Sequence, residues 1–484
     1  MGKKKNKKVS RKKVDRSSAP PMNMNMEGSR NDIDRISALP NNLILRILSF
    51  TGTKSAVRTG LLSKRWRSLW TAVPVLDFDH QEFCHLLKGP DDFEKLIENM
   101  ILDEGRVPMD LFSFFHRRAE RMSIDEFVLF VNATLKRCGK TDLQRFRLYA
   151  EGYVDPRQVS AWINHAVSRN IADLELELPT HEHMSMSCDI YKGCSELPSS
   201  IFKCKSLTSL KLRMTQCWFF NTPATVKLHG LVTLHLEVIA WRDDSLENVI
   251  SKCPNLETLY LNFCCFQRLS VSSRRLKDLT IRECSCPVEI QIFAPNLLSL
   301  HYSRSWEQKI SLKCSSKLVN ARVDIIGDDV GPCYTSLVGF LGSVSHVATL
   351  KLRSSILQVL YKERHLFKLL PTFPNLKHLK FRGVFPDFSI EALACLLKHS
   401  PSLETLKITD FGLPAFLGIV DNTDGWRSRI LSSDCLLHLR EVKMKGFNSS
   451  PGKLEFLKFL LMNSVSLQKV TLIPASVVCP PPVF

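Results

Sequence analysis

Between residues 143 and 472 apolar side chains recur in a fixed triplet, L-x-x-L-x-L, set between polar and variable stretches. The triplet is intact at Leu207/Leu210/Leu212, Leu231/Leu234/Leu236 and Leu256/Leu259/Leu261. It returns with substitutions at Leu276/Leu279/Ile281, Leu297/Leu300/Tyr302, Val347/Leu350/Leu352, Leu376/Leu379/Phe381 and Leu403/Leu406/Ile408. Weaker copies stand at Leu143/Phe146/Leu148, Ile171/Leu174/Leu176, Leu318/Ala321/Val323, Leu439/Val442/Met444 and Leu467/Val470/Leu472. Starts at 231, 256, 276, 297 and 318 lie 25, 20, 21 and 21 residues apart. That period matches units of roughly 20 to 29 residues, each supplying one short strand and a return segment. One unit cannot bury its own apolar face, so neighbours stack and stability accumulates along the array. Cys264 and Cys284 fall three positions after the last apolar residue, where such a unit takes Asn or Cys. The 36 residues separating Ile171 from Leu207 predict an inserted loop.

Within each strand the intervening residues alternate to the opposite face. Ser209/Lys211/Arg213, Thr233/His235/Glu237, Thr258/Tyr260/Asn262 and Asp278/Thr280/Arg282 should therefore line one continuous surface. Lys211, Arg213, His235, Tyr260 and Arg282 are its candidate partner-binding residues; the plainer alternative is a solvated strand face.

Upstream the period changes from two to helical. After Leu39 and Pro40, which rigidify the chain, Leu43, Ile47 and Phe50 fall at i, i+4 and i+7, with Ile44 and Leu48 beside them. Val57 and Leu61 mark a second short helix. Ser63 is a candidate N-cap for a third that stacks Trp66, Leu69 and Trp70 along one side and turns Lys64, Arg65 and Arg67 to water. So small a unit buries only part of its apolar surface, and an exposed remainder rich in Leu and Trp predicts a protein interface. A helical cap on the downstream repeats is the alternative.

The residues Asp34 to Trp70, with the Leu39-Pro40 pair, the ILSF helix end and LLSKRWRSLW, resemble the F-box of plant F-box proteins. CLLHLREVKMKGFNSSPGKLEFLKFLLMNSVSLQKVTL resembles the FBD region of the plant F-box/FBD/LRR-repeat family, and residues 130–150 and 160–178 resemble that family's approach to its repeats, with Trp162, Ile163, Ala166 and Val167 on a buried helix side. The resemblance implies an α/β chain: a three-helix F-box, a leucine-rich-repeat solenoid and an FBD-like region. The expected boundaries are a basic tail over 1–30, the F-box over 31–79, a helical connection with an insertion over 80–129, repeats over 130–430, the FBD-like region over 431–474 and a C-terminal tail over 475–484. Pro90 and Pro108 bound a helical DDFEKLIENMIL within that connection.

In that family the F-box binds a Skp-type adaptor and, through it, a cullin-based ubiquitin ligase. Leu39, Pro40, Leu43, Ile47, Leu48, Val57, Leu61, Leu62 and Trp66 inherit the adaptor-binding role from the resemblance. One departure is visible: the family's Leu-Pro-Thr-Lys turn is here Thr51-Gly52-Thr53-Lys54, and glycine loosens the turn through backbone entropy. The implied function is a substrate receptor that holds a cargo protein for ubiquitination. A repeat scaffold not engaged with a ligase stays open as the second reading.

Composition narrows the remaining classes. At 484 residues and 44% hydrophobic the chain folds, and no apolar run approaches the roughly 18 residues of a membrane span. The lysine-rich start lacks the apolar core of a secretory signal, so an intracellular protein with 16 reduced cysteines is expected. In residues 1–16 nine basic side chains face only Asp15, contributing +8 of the +18 net charge. This tail is a candidate nuclear-import signal or a solubilising segment. It lacks interleaved aromatics, and no zinc finger follows, which argues against a nucleic-acid partner. No phosphate loop, G-x-S-x-G, H-E-x-x-H or C-x-x-C occurs, so no catalytic constellation, cofactor or metal is expected. His181, His183, Cys188 and Cys194 have zinc-ligand chemistry at spacings that suit a polar loop better.

Overall fold

The computed structural model describes residues 36, 38–86, 124–151, 154–178, 195–221, 223, 225–241, 245–266, 268–284, 289–304, 309–314, 317–325, 334–411, 436–448 and 450–474. The helical DDFEKLIENMIL, the His181/His183/Cys188/Cys194 group and both tails lie outside these residues.

Three short helices open the described chain: α1 (Asn41–Leu48), α2 (Thr53–Arg58) and α3 (Lys64–Leu69). Ser63 caps α3, its side chain accepting from the Trp66 backbone N–H. Arg65 ties α3 to the start of α1, donating to the Asn41 side chain at 2.7 Å. The Arg65 guanidinium also donates to the Leu39 carbonyl.

The remainder is built on parallel strands. They are β1 (Val75–Asp79), β2 (Arg145–Tyr149), β3 (Asp173–Leu178), β4 (Ser195–Leu197), β5 (Ser209–Phe220), β6 (Thr233–Trp241), β7 (Thr258–Asn262), β8 (Leu269–Ser272), β9 (Asp278–Arg282), β10 (Glu289–Ala294), β11 (Ser299–Arg304), β12 (Lys309–Cys314), β13 (Asn320–Ile325), β14 (Thr349–Arg353), β15 (His378–Gly383), β16 (Thr405–Asp410), β17 (Glu441–Phe447) and β18 (Lys469–Pro474). A main sheet runs β1-β2-β3-β5-β6-β7-β9-β11-β13-β14-β15-β16-β17-β18, with β4 pairing β5 beside the path. Every predicted triplet is on a strand of this path, and its apolar residues are buried except in the last copy, where Val470 and Leu472 at the terminal strand are partly exposed. Register keeps equivalent positions level: Leu210 pairs with Leu234, Leu234 with Leu259, and Leu259 with Leu279.

Return segments follow repeat length. Where starts lie 20 or 21 residues apart there is no room for a helix, and the chain returns through β8, β10 and β12, which form their own three-stranded parallel sheet. From Leu318 to Val347 and from Val347 to Leu376 the spacing is 29, and helices Tyr334–Ser343 and Ser355–Lys362 occupy the return. Cys264 and Cys284 are buried where the strand ends, their thiols directed at backbone carbonyls. The residue before each, Phe263 and Glu283, adopts a positive φ of 49° and 47° to make the turn.

The end of the helical unit also begins the sheet. Val73, Leu76 and Phe78, within the 31–79 expected for the F-box, form a further L-x-x-L-x-L copy, and β1 pairs in register with β2 as the first rung of the main sheet. The helix Ile124–Arg137 likewise straddles the expected 129/130 boundary. Contacts from α2 join the helical unit to this rung and to the helix His80–Leu86 that follows it. Thr53 accepts from the Asp77 backbone N–H at 2.6 Å, and Lys54 reaches the Phe83 carbonyl at 2.7 Å with its ammonium over the Phe83 ring. The apolar core is continuous from Ile44 to Leu460.

Candidate interaction surfaces

Two faces of this frame present chemistry to partners. The first belongs to the helical unit, where an amphipathic helix on a core must sort its apolar residues into inside and outside. Ile44, Leu48, Ala56, Val57, Trp66, Leu69 and Trp70 go inward. Leu43 (43% exposed), Ile47 (49%), Phe50 (82%), Leu61 (53%) and Leu62 (68%) remain outside, with Pro40 exposed and Leu39 half-buried. So large an apolar remainder on so few residues has the character of an interface.

This division splits the inherited adaptor set into outward and inward residues. Leu48, Val57 and Trp66 are 3%, 5% and 6% exposed, so they brace the unit from within and offer almost no area to a partner. Trp70 is likewise 4% exposed, so the tryptophans expected on the exposed side are core residues. Phe50, absent from the inherited set, is the most exposed of the large apolar side chains in the unit. Its i+7 relation to Leu43 was the available signal. Gly52, the departure from the family turn, has an ordinary φ of −57°. A Cβ there would come within 2.9 Å of the flexible end of Glu82.

The second face is the polar side of the main sheet. Lys211, His235 and Tyr260 are level on β5, β6 and β7, with Arg213 and Arg282 one step along. All five meet on one surface, and each is engaged there. Lys211 lies 3.7 Å from Glu175, and Arg213 3.5 Å from Glu237. The His235 and Tyr260 rings stack at 3.9 Å, and Arg282 donates to the Tyr260 hydroxyl at 3.5 Å. Burial disfavours ionised Glu237, but the hydrogen bond from His235 and the charge of Arg213 outweigh it and hold the carboxyl below its usual range. Asp324 behaves alike: burial opposes its charge, while His301 at 3.3 Å and Arg322 at 2.6 Å keep it ionised to lower pH.

Toward the C-terminus this balance is lost. Arg322, Lys351, Lys380, Lys407 and Lys443 stand directly opposite one another across β13 to β17. Arg353 and Arg382 pair in the next row, where Lys445 follows Thr409. Most of these side chains line a concavity of about 320 Å³. The sequence signal was the same alternation already used for β5 to β9, carried on to β17.

Three of the described thiols are held in the protonated form by burial. Burial raises Cys138 and Cys395 to about 11 and Cys253 to about 12, so at neutral pH they are protonated. Among the described residues no cluster of His, Cys, Asp and Glu could hold a metal, and no helix is long and apolar enough to cross a membrane.

Comparison with known proteins decides the family. The F-box domain description matches residues 36–78, and the description "At1g61320/AtMIF1, LRR domain" matches residues 135–476. The chain belongs to the F-box/LRR-repeat family. Among its relatives in Arabidopsis thaliana, the putative F-box/LRR-repeat protein At3g59160 is 30% identical, over 75% of this chain and 79% of its own. The F-box/LRR-repeat protein At4g14096 is 29% identical over 85% and 78%, and the putative F-box/FBD/LRR-repeat protein At3g59240 is 30% identical over 75% and 66%. The second F-box/LRR feature, the repeat array, thus spans the sheet from before β2 to β18 without a break.

Proposed function

We propose that this F-box/LRR-repeat protein is a substrate receptor of a cullin-based ubiquitin ligase, non-catalytic itself. The exposed face formed by Leu39, Pro40, Leu43, Ile47, Phe50, Leu61 and Leu62 docks a Skp-type adaptor, and the polar sheet face holds a protein cargo. The observation that carries this reading is that Leu43, Ile47, Phe50, Leu61 and Leu62 stand outside the core on one short helical unit, ahead of a repeat array whose apolar core is continuous. The contribution to reaction is proximity: cargo lysines are held near a ubiquitin-charged enzyme elsewhere in the complex. The basic tail serves nuclear import in this reading; removing residues 2–16 from a fluorescent fusion should abolish nuclear accumulation, and an unchanged nuclear signal removes that role.

The test is co-purification of the full chain with a Skp-type adaptor and cullin, beside a Leu43→Ala, Phe50→Ala, Leu62→Ala variant. Recovery with the wild type and loss in a variant of unchanged thermal midpoint is the expected result. Recovery with neither leaves a repeat scaffold without a ligase.

A further inference from the structure

One sheet carries two different charge patterns at the same structural position. From β1 to β5 the central row reads Asp77, Arg147, Glu175, Lys211, and each cation has a carboxylate neighbour. Arg147 is 3.0 Å from Asp77, and Arg145 in the adjacent row is 2.7 Å from Glu175. From β13 to β17 the same row reads Arg322, Lys351, Lys380, Lys407, Lys443. Like charges directly opposite in a sheet oppose its formation, and adjacent strands bring these to about 5 Å spacing at the backbone. Arg322 is paired with Asp324, and Lys407 lies 3.7 Å from Glu441. Lys351, Arg353, Lys380, Lys443 and Lys445 make no ion pair among the described residues. Arg382 only faces the Phe411 ring, at 5.2 Å.

We infer that this cationic ladder is a binding site for an acidic protein segment, the recognition element of the cargo. The inference rests on the receptor reading and names the chemistry of its cargo. Two features select the ligand. Lysines dominate, and they are point charges spread along the four strands β14 to β17, which suits a series of anionic side chains on an extended polypeptide better than one phosphate in a fork of arginines. The apolar residues alternating with them, Leu352, Phe381 and Ile408, are buried, so these described positions give nucleic-acid bases no aromatic surface on which to stack. Asp324 closes the patch on one side, and on the other Thr471 replaces the cation, so the site is short and bounded.

The experiment uses the full chain at 0.15 M salt and three fluorescent probes of defined charge: a Glu-Ser decapeptide, its phosphoserine form, and a hexathymidylate. A Lys351→Gln, Lys380→Gln, Lys443→Gln, Lys445→Gln variant is compared with Lys3→Gln, Lys4→Gln, Lys5→Gln, Lys7→Gln, which removes the same charge from the tail. The ladder variant should bind at least one of the two peptides tenfold or more weakly, and the tail variant within twofold of wild type. Which peptide responds identifies carboxylate or phosphate as the source of charge. Equal losses in both variants, or hexathymidylate bound tighter than either peptide and lost with the ladder, overturn the proposal. Lys380→Glu gives a second readout that needs no multiple variant: relief of like-charge repulsion should raise the thermal midpoint while peptide affinity falls tenfold. The Leu43→Ala, Phe50→Ala, Leu62→Ala variant should lose adaptor and keep the peptide, whereas the ladder variant should do the reverse. Failure of the ladder and failure of the receptor reading are thereby read separately.

Discussion

Phe50 and Trp66 sit 16 residues apart in the same F-box, and replacing each by alanine should have opposite consequences. Burying a phenylalanine side chain completely contributes roughly 1.5 to 3 kcal/mol. Phe50 is 82% exposed, so nearly all of that contribution is unrealised in the free chain and is available to an adaptor. Phe50→Ala should therefore weaken adaptor binding by about 2 kcal/mol, roughly 30-fold in Kd, and leave the fold within about 0.5 kcal/mol of wild type. Trp66 is 6% exposed and belongs to the buried apolar core. Trp66→Ala should destabilise the F-box by about 3 to 5 kcal/mol. Adaptor binding would then fall only through the unfolded fraction. Titration calorimetry with a purified adaptor, beside thermal unfolding of each variant, separates the two. A Phe50→Ala variant that binds normally, or a stable Trp66→Ala variant that has lost affinity, would refute the division of the F-box into an outward docking face and an inward brace.

Other outcomes follow from the same coordinates. Lys453 and Asp410 form an ion pair at 2.6 Å with both side chains 5% exposed, and Asn448 also accepts from Lys453. Lys453→Ala removes the cation from a buried carboxylate and should cost about 3 to 5 kcal/mol locally, read as accelerated hydrogen exchange in β16 and β17, while Lys453→Met with Asp410→Asn recovers most of it; equal exchange in single and double variants refutes the pair's role. Folding depresses the carboxyls of Asp324 and Glu237 below their ordinary values of 3.8 and 4.5, so the stability they add is complete above about pH 4.5 and lost as pH falls through the folded values. The thermal midpoint should drop on acidification below pH 4, and drop less in Asp324→Asn; an identical slope counts against it. Cys138, Cys253 and Cys395 should resist iodoacetamide at pH 8 until denaturant is added, and rapid labelling of the native chain at these sites contradicts their burial. Gly52→Ala should raise stability by about 0.4 to 1 kcal/mol by restricting the unfolded chain, with adaptor affinity unchanged; lost affinity would show that the turn itself is part of the docking face.

What the sequence determined by itself is the repeating strand. Alternation along a strand is a local property, so the apolar triplets, the cysteines at the strand ends and the common face of Lys211, His235 and Tyr260 were all legible from spacing. The F-box was legible in the same way, through residues within one or two helical turns. Tertiary structure decided what depends on contact between distant segments. A short helix with a wide apolar stripe does not say which edge faces the core, and the floor beneath it comes from β1, whose own triplet at Val73, Leu76 and Phe78 is recognisable only once it pairs with β2 some 70 residues away. The 20- and 21-residue units return as strands because a second sheet is there to receive them. The cationic ladder is of the same kind. Lys351, Lys380, Lys407 and Lys443 are 29, 27 and 36 residues apart, separations with no regular period. Stacking of the buried leucines sets the register that aligns them, and so places like charges together where the chain's own electrostatics would keep them apart.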